Sequence, residues 1–64
     1  MSYFYAKWGW TKRDYGEVSF EKGELLKVVE QNGEWSRGVF GDGRSGWFPA
    51  ARVKPVRKKD FERI

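Results

Sequence analysis

Four tryptophans, at positions 8, 10, 35 and 47, accompany Pro49 and the carboxylates Asp14, Glu17 and Glu34. These groups suit recognition more than bond-making. An indole offers a broad flat face and a single N–H donor. A carboxylate accepts hydrogen bonds from a ligand cation. The chain has no His and no Cys. It therefore lacks the commonest general base, the commonest zinc ligand and any thiol nucleophile or disulfide. No acid–base pair converges, so neither an enzyme nor a cofactor is expected.

Those groups need a scaffold, and 64 residues allow one domain. A chain this short buries only about 60% of its unfolded surface. It carries four Trp, three Tyr and five Phe. That is more than its core can hide, since each aromatic brings roughly 150–250 Å². Some must lie outside, and clustered surface aromatics mark a binding site. No apolar run approaches the roughly 18 residues of a membrane span, and no signal peptide is visible. The chain is expected to be soluble and cytoplasmic, and the lack of Cys fits a reducing compartment. Net charge is +4, and the segment RKKDFERI at 57–64 holds half of that excess. The mildly basic remainder argues against a dedicated nucleic-acid binder.

Short runs rich in Val, Phe, Tyr, Trp and Leu, punctuated by glycines, predict a small all-β barrel or sandwich. Tyr3 to Lys7 alternates, with Phe4 and Ala6 on one face. Residues 8–17 lack periodicity and read as a long irregular loop. Val18 and Phe20 point one way, and Glu21–Glu24 turns the chain. A strand is predicted over 25–30 with Leu26 and Val28 inward, followed by a loop at 31–34 built on Asn32-Gly33. Segments 35–40 and 44–48 flank Gly41-Asp42-Gly43 as a hairpin. Pro49–Arg52 suits one 3₁₀ turn. A last strand spans 53–56, and Pro55 places it at an edge or at the strand's end.

The alternation predicts a core of Phe4, Ala6, Val18, Phe20, Leu26, Val28, Val39, Phe48 and Val53. It leaves Trp8, Trp10, Trp35 and Trp47 without inward positions, so all four are expected to be substantially exposed. A shared binding surface is the reading favoured over four separate surface packers, because interaction sites are enriched in Trp and Tyr.

At this point the residues resemble the SH3 domain family. The family's opening Ala-Leu-Tyr-Asp-Tyr corresponds to Ala6-Lys7-Trp8-Gly9-Trp10. Its Leu-Ser-Phe-x-x-Gly-Asp/Glu corresponds to Val18-Ser19-Phe20-Glu21-Lys22-Gly23-Glu24. Its paired tryptophans become Trp35-Ser36. Its closing Gly-x-x-Pro-x-Asn-Tyr-Val becomes Gly46-Trp47-Phe48-Pro49-Ala50-Ala51-Arg52-Val53. The match runs in order over residues 3–56. It implies a domain over 1–56, a five-stranded bent barrel with a 3₁₀ turn before the last strand, and a non-catalytic module. The implied ligand is a Pro-rich peptide in the polyproline II conformation, whose ridges slot between aromatic side chains. The implied setting is a larger signalling, cytoskeletal or trafficking protein, with this domain a monomer.

By the resemblance, Trp35 is the central ligand-binding residue and Pro49 the groove floor beside it. Trp8 and Trp10 stand where two Tyr line the proline slots. Glu17 takes the place of the acid that pairs with a ligand Arg or Lys, and Trp47 walls that specificity pocket. Asp14, Glu30 and Glu34 add negative field from the flanking loops, while Lys12 and Arg13 oppose it. The chain departs from the pattern at Ala51 and Arg52, where the family has Asn and Tyr. A ligand-facing donor and a wall of both slots are lost. Arg52 is placed to stack on Trp8 or Trp10 and partly rebuild that wall, and also to repel a basic ligand or attract an acidic one. Specificity is therefore expected to be atypical, with a folded partner surface, an intramolecular ligand or a nucleic acid as alternatives to PxxP. Ser36 stands at what is usually an outer-face position. The basic segment 57–64 reads as a linker, with membrane contact only through it.

Overall fold

The structure, a computed structural model, describes residues 3–56; the basic tail expected at 57–64 lies outside them. Five strands form among the described residues: β1 (Tyr3–Ala6), β2 (Leu25–Asn32), β3 (Trp35–Phe40), β4 (Ser45–Pro49) and β5 (Val53–Val56). They make one antiparallel sheet in the order β4-β3-β2-β1-β5. One 3₁₀ turn, Ala50–Arg52, joins β4 to β5. The all-β barrel with its 3₁₀ turn is therefore present. Pro55, which has no N–H to donate, sits on the edge strand β5 as expected.

β2 runs two residues further than its alternation suggests. Gly33 takes a φ of 62° and Glu34 keeps a negative φ. A two-residue loop of this kind lets the strands pair up to its edge, so Gln31 faces Ser36 and Asn32 faces Trp35. The register also slips between Val28 and Glu30, leaving Val29 as an extra residue on β2. Such a bulge resets which side chains share a face. At the other end of β3, Gly43 at φ 95° closes the 41–43 loop.

The expected core residues Ala6, Val18, Phe20, Leu26, Phe48 and Val53 are buried, with Phe4 and Val28 packed at its margin. Val39 is a correction, for it is 37% exposed. On β3 the buried positions are Ser36, Gly38 and Phe40. Trp35 points outward, so the two-residue period carries Arg37 and Val39 outward with it. Phe40 takes the inward place and stacks on Phe20, with ring centroids 5.4 Å apart. Ser36, read by analogy as an outer-face residue, is buried at 1% exposure. Gly38 is inward because nothing larger fits. A Cβ there would stand 2.7 Å from Leu26 Cδ1 and 2.9 Å from Phe48 Cε1.

Arg44 ties the 41–43 loop to the turn before β2. Its guanidinium pairs with Glu24 and Asp42, lies over the Phe40 ring and donates to the Ser19 carbonyl at 2.7 Å. The hydrogen bond from Arg44, then that from the Glu21 N–H, holds the Glu24 carboxyl below its ordinary range. Asp42 is lowered too, first by the backbone N–H of Arg44. The same two carboxylates push Arg44 up.

Candidate functional site

The outer face of the β3–β4 hairpin carries the aromatic groups. Trp35 faces Pro49 across the two strands, and Arg37 faces Trp47. Opposed residues in an antiparallel pair share one side of the sheet, so Trp35, Trp47 and Pro49 stand together. Trp35 is 39% exposed, while Trp47 and Pro49 are half-buried. Trp47 therefore corrects the expectation that it would be substantially exposed.

The 8–17 loop reaches this face through Gly46. Trp47 N–H donates to the Gly16 carbonyl at 2.9 Å, and Val18 N–H donates to the Trp47 carbonyl at 3.1 Å. That places Glu17 beside Trp47. The approach needs a glycine, because a Cβ on Gly46 would lie 2.9 Å from both the Glu17 carbonyl carbon and the Gly16 oxygen. The resulting depression, about 290 Å³, is lined by Asp14, Tyr15, Glu17, Asn32, Trp35 and Trp47. One oxygen of Glu17 accepts from Arg13 N–H at 2.9 Å, and one of Asp14 accepts from Tyr15 N–H at 2.8 Å. The second oxygen of each has no hydrogen-bond partner among the described residues.

The sequence brings Asp14, Glu17, Trp35 and Trp47 together as expected. Glu34 falls elsewhere. It lines a second depression with Trp35, Pro49, Ala50 and Ala51, and its carbonyl accepts from Ala50 N–H at 2.8 Å. Glu30 is paired with Arg37 at 2.9 Å, which offsets the charge it was expected to contribute. Tyr15 and Asn32 line the first depression and were not foreseen. Asn32 follows only from the bulge register. Tyr15, 98% exposed, belongs to a loop that has no period to read.

Trp10 is the main correction, for it is only 9% exposed. It exchanges both backbone hydrogen bonds with Phe20, each 2.9 Å, and so pins the loop to the barrel. Its ring meets Trp35 edge-on at 6.3 Å. The guanidinium of Arg52 lies 5.0 Å from the ring centroid and that of Arg13 lies 4.9 Å from it. The stacking expected of Arg52 thus falls on Trp10. The Trp10 Nε1–H is buried without an acceptor among the described residues. Trp8, at 58% exposure, remains open as expected.

A small barrel with two tryptophans, a proline and unspent carboxylates on one outer face is built as an interaction module. The family model for the SH3 domain matches residues 5–50, and the chain belongs to the SH3 domain family. SH3 domains are non-catalytic interaction modules. The chain is 34% identical over 56 residues to human Rho guanine nucleotide exchange factor 7, covering 86% of this chain and 7% of that protein. It is 34% identical over 59 residues to mouse Intersectin-1, covering 92% of this chain and 3% of that protein. The chain thus spans only a small part of these relatives. Among solved structures, the C-terminal SH3 domain of Myosin IB from Entamoeba histolytica superposes with a TM-score of 0.81 at 26% identity, covering 89% of this chain and 88% of that one. The same domain bound to an EhFP10(GEF) peptide gives a TM-score of 0.81 at 26% identity, covering 89% and 85%. Among the described residues no helix is long and apolar enough to cross a membrane.

Proposed function

We propose that this domain binds Pro-rich peptides along the face bearing Trp8, Trp10, Trp35, Pro49 and Arg52, with Asp14, Glu17 and Trp47 receiving a basic ligand residue. The carrying observation is the junction of Trp35 and Trp47 with two carboxylates that each keep an oxygen free. A polyproline II ligand presents apolar ridges and unpaired carbonyls, and exposed indoles match both. The peptide complex of the similar Myosin IB domain supports a peptide as the class of ligand. The domain is taken as residues 1–56, acting as a monomer in the cytoplasm within a larger signalling, cytoskeletal or trafficking protein. Carboxylates beside Trp35 count against a phosphate backbone as ligand.

The experiment is an array of Pro-rich peptides, with and without flanking Arg or Lys, probed with wild type and with Trp35→Ala. Binding to basic Pro-rich peptides that vanishes in Trp35→Ala supports the reading. Equal signals from both proteins would overturn it.

A further inference from the structure

Four arginines lie among the described residues. Arg37 pairs with Glu30, and Arg44 pairs with Glu24 and Asp42. Arg13 and Arg52 pair with no carboxylate there, and these are the two guanidinia that lie on Trp10. We propose that Arg52, seated on Trp10, takes an acidic side chain of the ligand, Asp or Glu, apart from the depression that Asp14 and Glu17 line. The inference rests on the reading of this face as a peptide groove and adds the charge order of its ligand.

Arg52 is held before any ligand arrives. Its carbonyl accepts from Lys7 N–H at 2.8 Å and from Trp8 N–H at 3.3 Å. Its side chain donates to the Gly9 carbonyl at 3.0 Å. Both ends of the residue are thus fixed to segment 7–9, and the guanidinium lies on the indole below. A guanidinium has five N–H donors in a planar fork, and Arg52 spends one of them on Gly9. The rest suit a carboxylate, and little side-chain freedom remains to be lost on binding. Arg13 also lies on this ring, but its backbone N–H donates to Glu17 at 2.9 Å, so its segment belongs beside the carboxylates.

The other end of the face has the opposite sign. Asp14 and Glu17 lie with Trp35 and Trp47, and the Trp10–Trp35 contact joins the two ends. A ligand with a base at one end and an acid at the other satisfies both. A ligand with bases at both ends brings like charge to Arg52.

The test uses synthetic Pro-rich decapeptides carrying one Arg near one end. Near the other end, three positions are substituted in turn by Pro, Gln, Glu or Lys. Affinity is measured by calorimetry in low and in physiological salt. At one of these positions Glu should bind roughly five- to tenfold more tightly than Gln, and Lys more weakly than Gln, with the spread narrowing as salt rises. Arg52→Gln should remove the Glu–Gln difference. Arg52→Glu should reverse the order and favour Lys. No Glu preference in wild type, or one that survives Arg52→Gln, overturns the inference. If the Pro peptides then still bind in a Trp35-dependent way, the groove reading stands without it. If no peptide binds, both fall.

Discussion

The ring of Trp10 meets the ring of Trp35 edge-on, with centroids 6.3 Å apart and planes at 81°. One partner is nearly buried and the other is open to solvent. The pair therefore joins the hydrophobic core to the proposed peptide face. Its two halves should respond differently to truncation.

Trp35→Ala should lose peptide binding while the barrel survives. The stability cost should be limited to about 0.5–1.5 kcal/mol from the lost aromatic contact, plus a little surface burial. Trp10→Ala should cost about 3–5 kcal/mol, as deletion of a core aromatic does. Denaturant melts of both variants check this, and similar losses for the two would show that Trp35 is structural.

Gly46→Ala should damage stability and binding together. The added methyl meets the backbone of Gly16 and Glu17 at 2.9 Å, and backbone cannot give way as a flexible side chain can. Overpacking of this kind costs about 1–3 kcal/mol. Relief by shifting the loop would carry Glu17 off Trp47. Amide exchange at Val18 and Trp47, whose N–H groups bridge this contact, should rise in the variant.

Acid should weaken the barrel partly through Arg44. Glu24 and Asp42 have lowered pKa values when folded, so each favours the folded state fully above its ordinary unfolded value. As pH falls below roughly 4–4.5, the unfolded chain binds protons first and the contribution declines through the folded value. Arg44→Met should lower the melting temperature at pH 7, and the gap from wild type should close by about pH 2–3. A gap that stays constant across that range would show that Arg44 acts through Phe40 and the Ser19 carbonyl rather than through its ion pairs.

Glu17→Lys should weaken peptides that carry Arg or Lys and spare a peptide without a basic residue. A charge-assisted hydrogen bond is worth about 1.5–3 kcal/mol when well formed, so titration should show a loss of at least tenfold for the basic peptide. Equal loss for both peptides would assign Glu17 to loop structure through its bond with Arg13 N–H.

Two substitutions distinguish the expected inward face from the observed one. Phe20→Ala should cost about 3–5 kcal/mol, because its ring contacts both Phe40 and Phe48. Val39→Ala should stay within about 0.5 kcal/mol, as exposed positions do. A large loss at Val39 would restore the inward assignment.

Strand positions were legible wherever a two-residue period held for several residues. β1, β5 and the 3₁₀ turn lie where pattern and turn chemistry put them. The misreading of β3 came from treating apolarity as burial. Val39 has an apolar side chain and Gly38 has none, yet the barrel centre has no room for a Cβ at Gly38. Trp10 was misread for another reason. Its burial depends on hydrogen bonds to Phe20, ten residues away on the returning chain. A loop without period carries no local sign of such contacts. In the candidate site, the grouping of Trp35 with Glu17, Trp47 and Pro49 was legible by resemblance. Asn32 was not, because its place depends on a one-residue bulge.

Tyr3 stands directly opposite Val56 in the β1–β5 pairing. The chain thus enters and leaves the barrel about 5 Å apart, the spacing of neighbouring strands. A host protein could accept the whole domain within a surface loop without stretching its own backbone. The same proximity permits circular permutation. A short glycine bridge from Val56 to Tyr3, with new ends cut at Asp42, would leave every strand pairing intact and move the covalent attachment to the far tip of the β3–β4 hairpin.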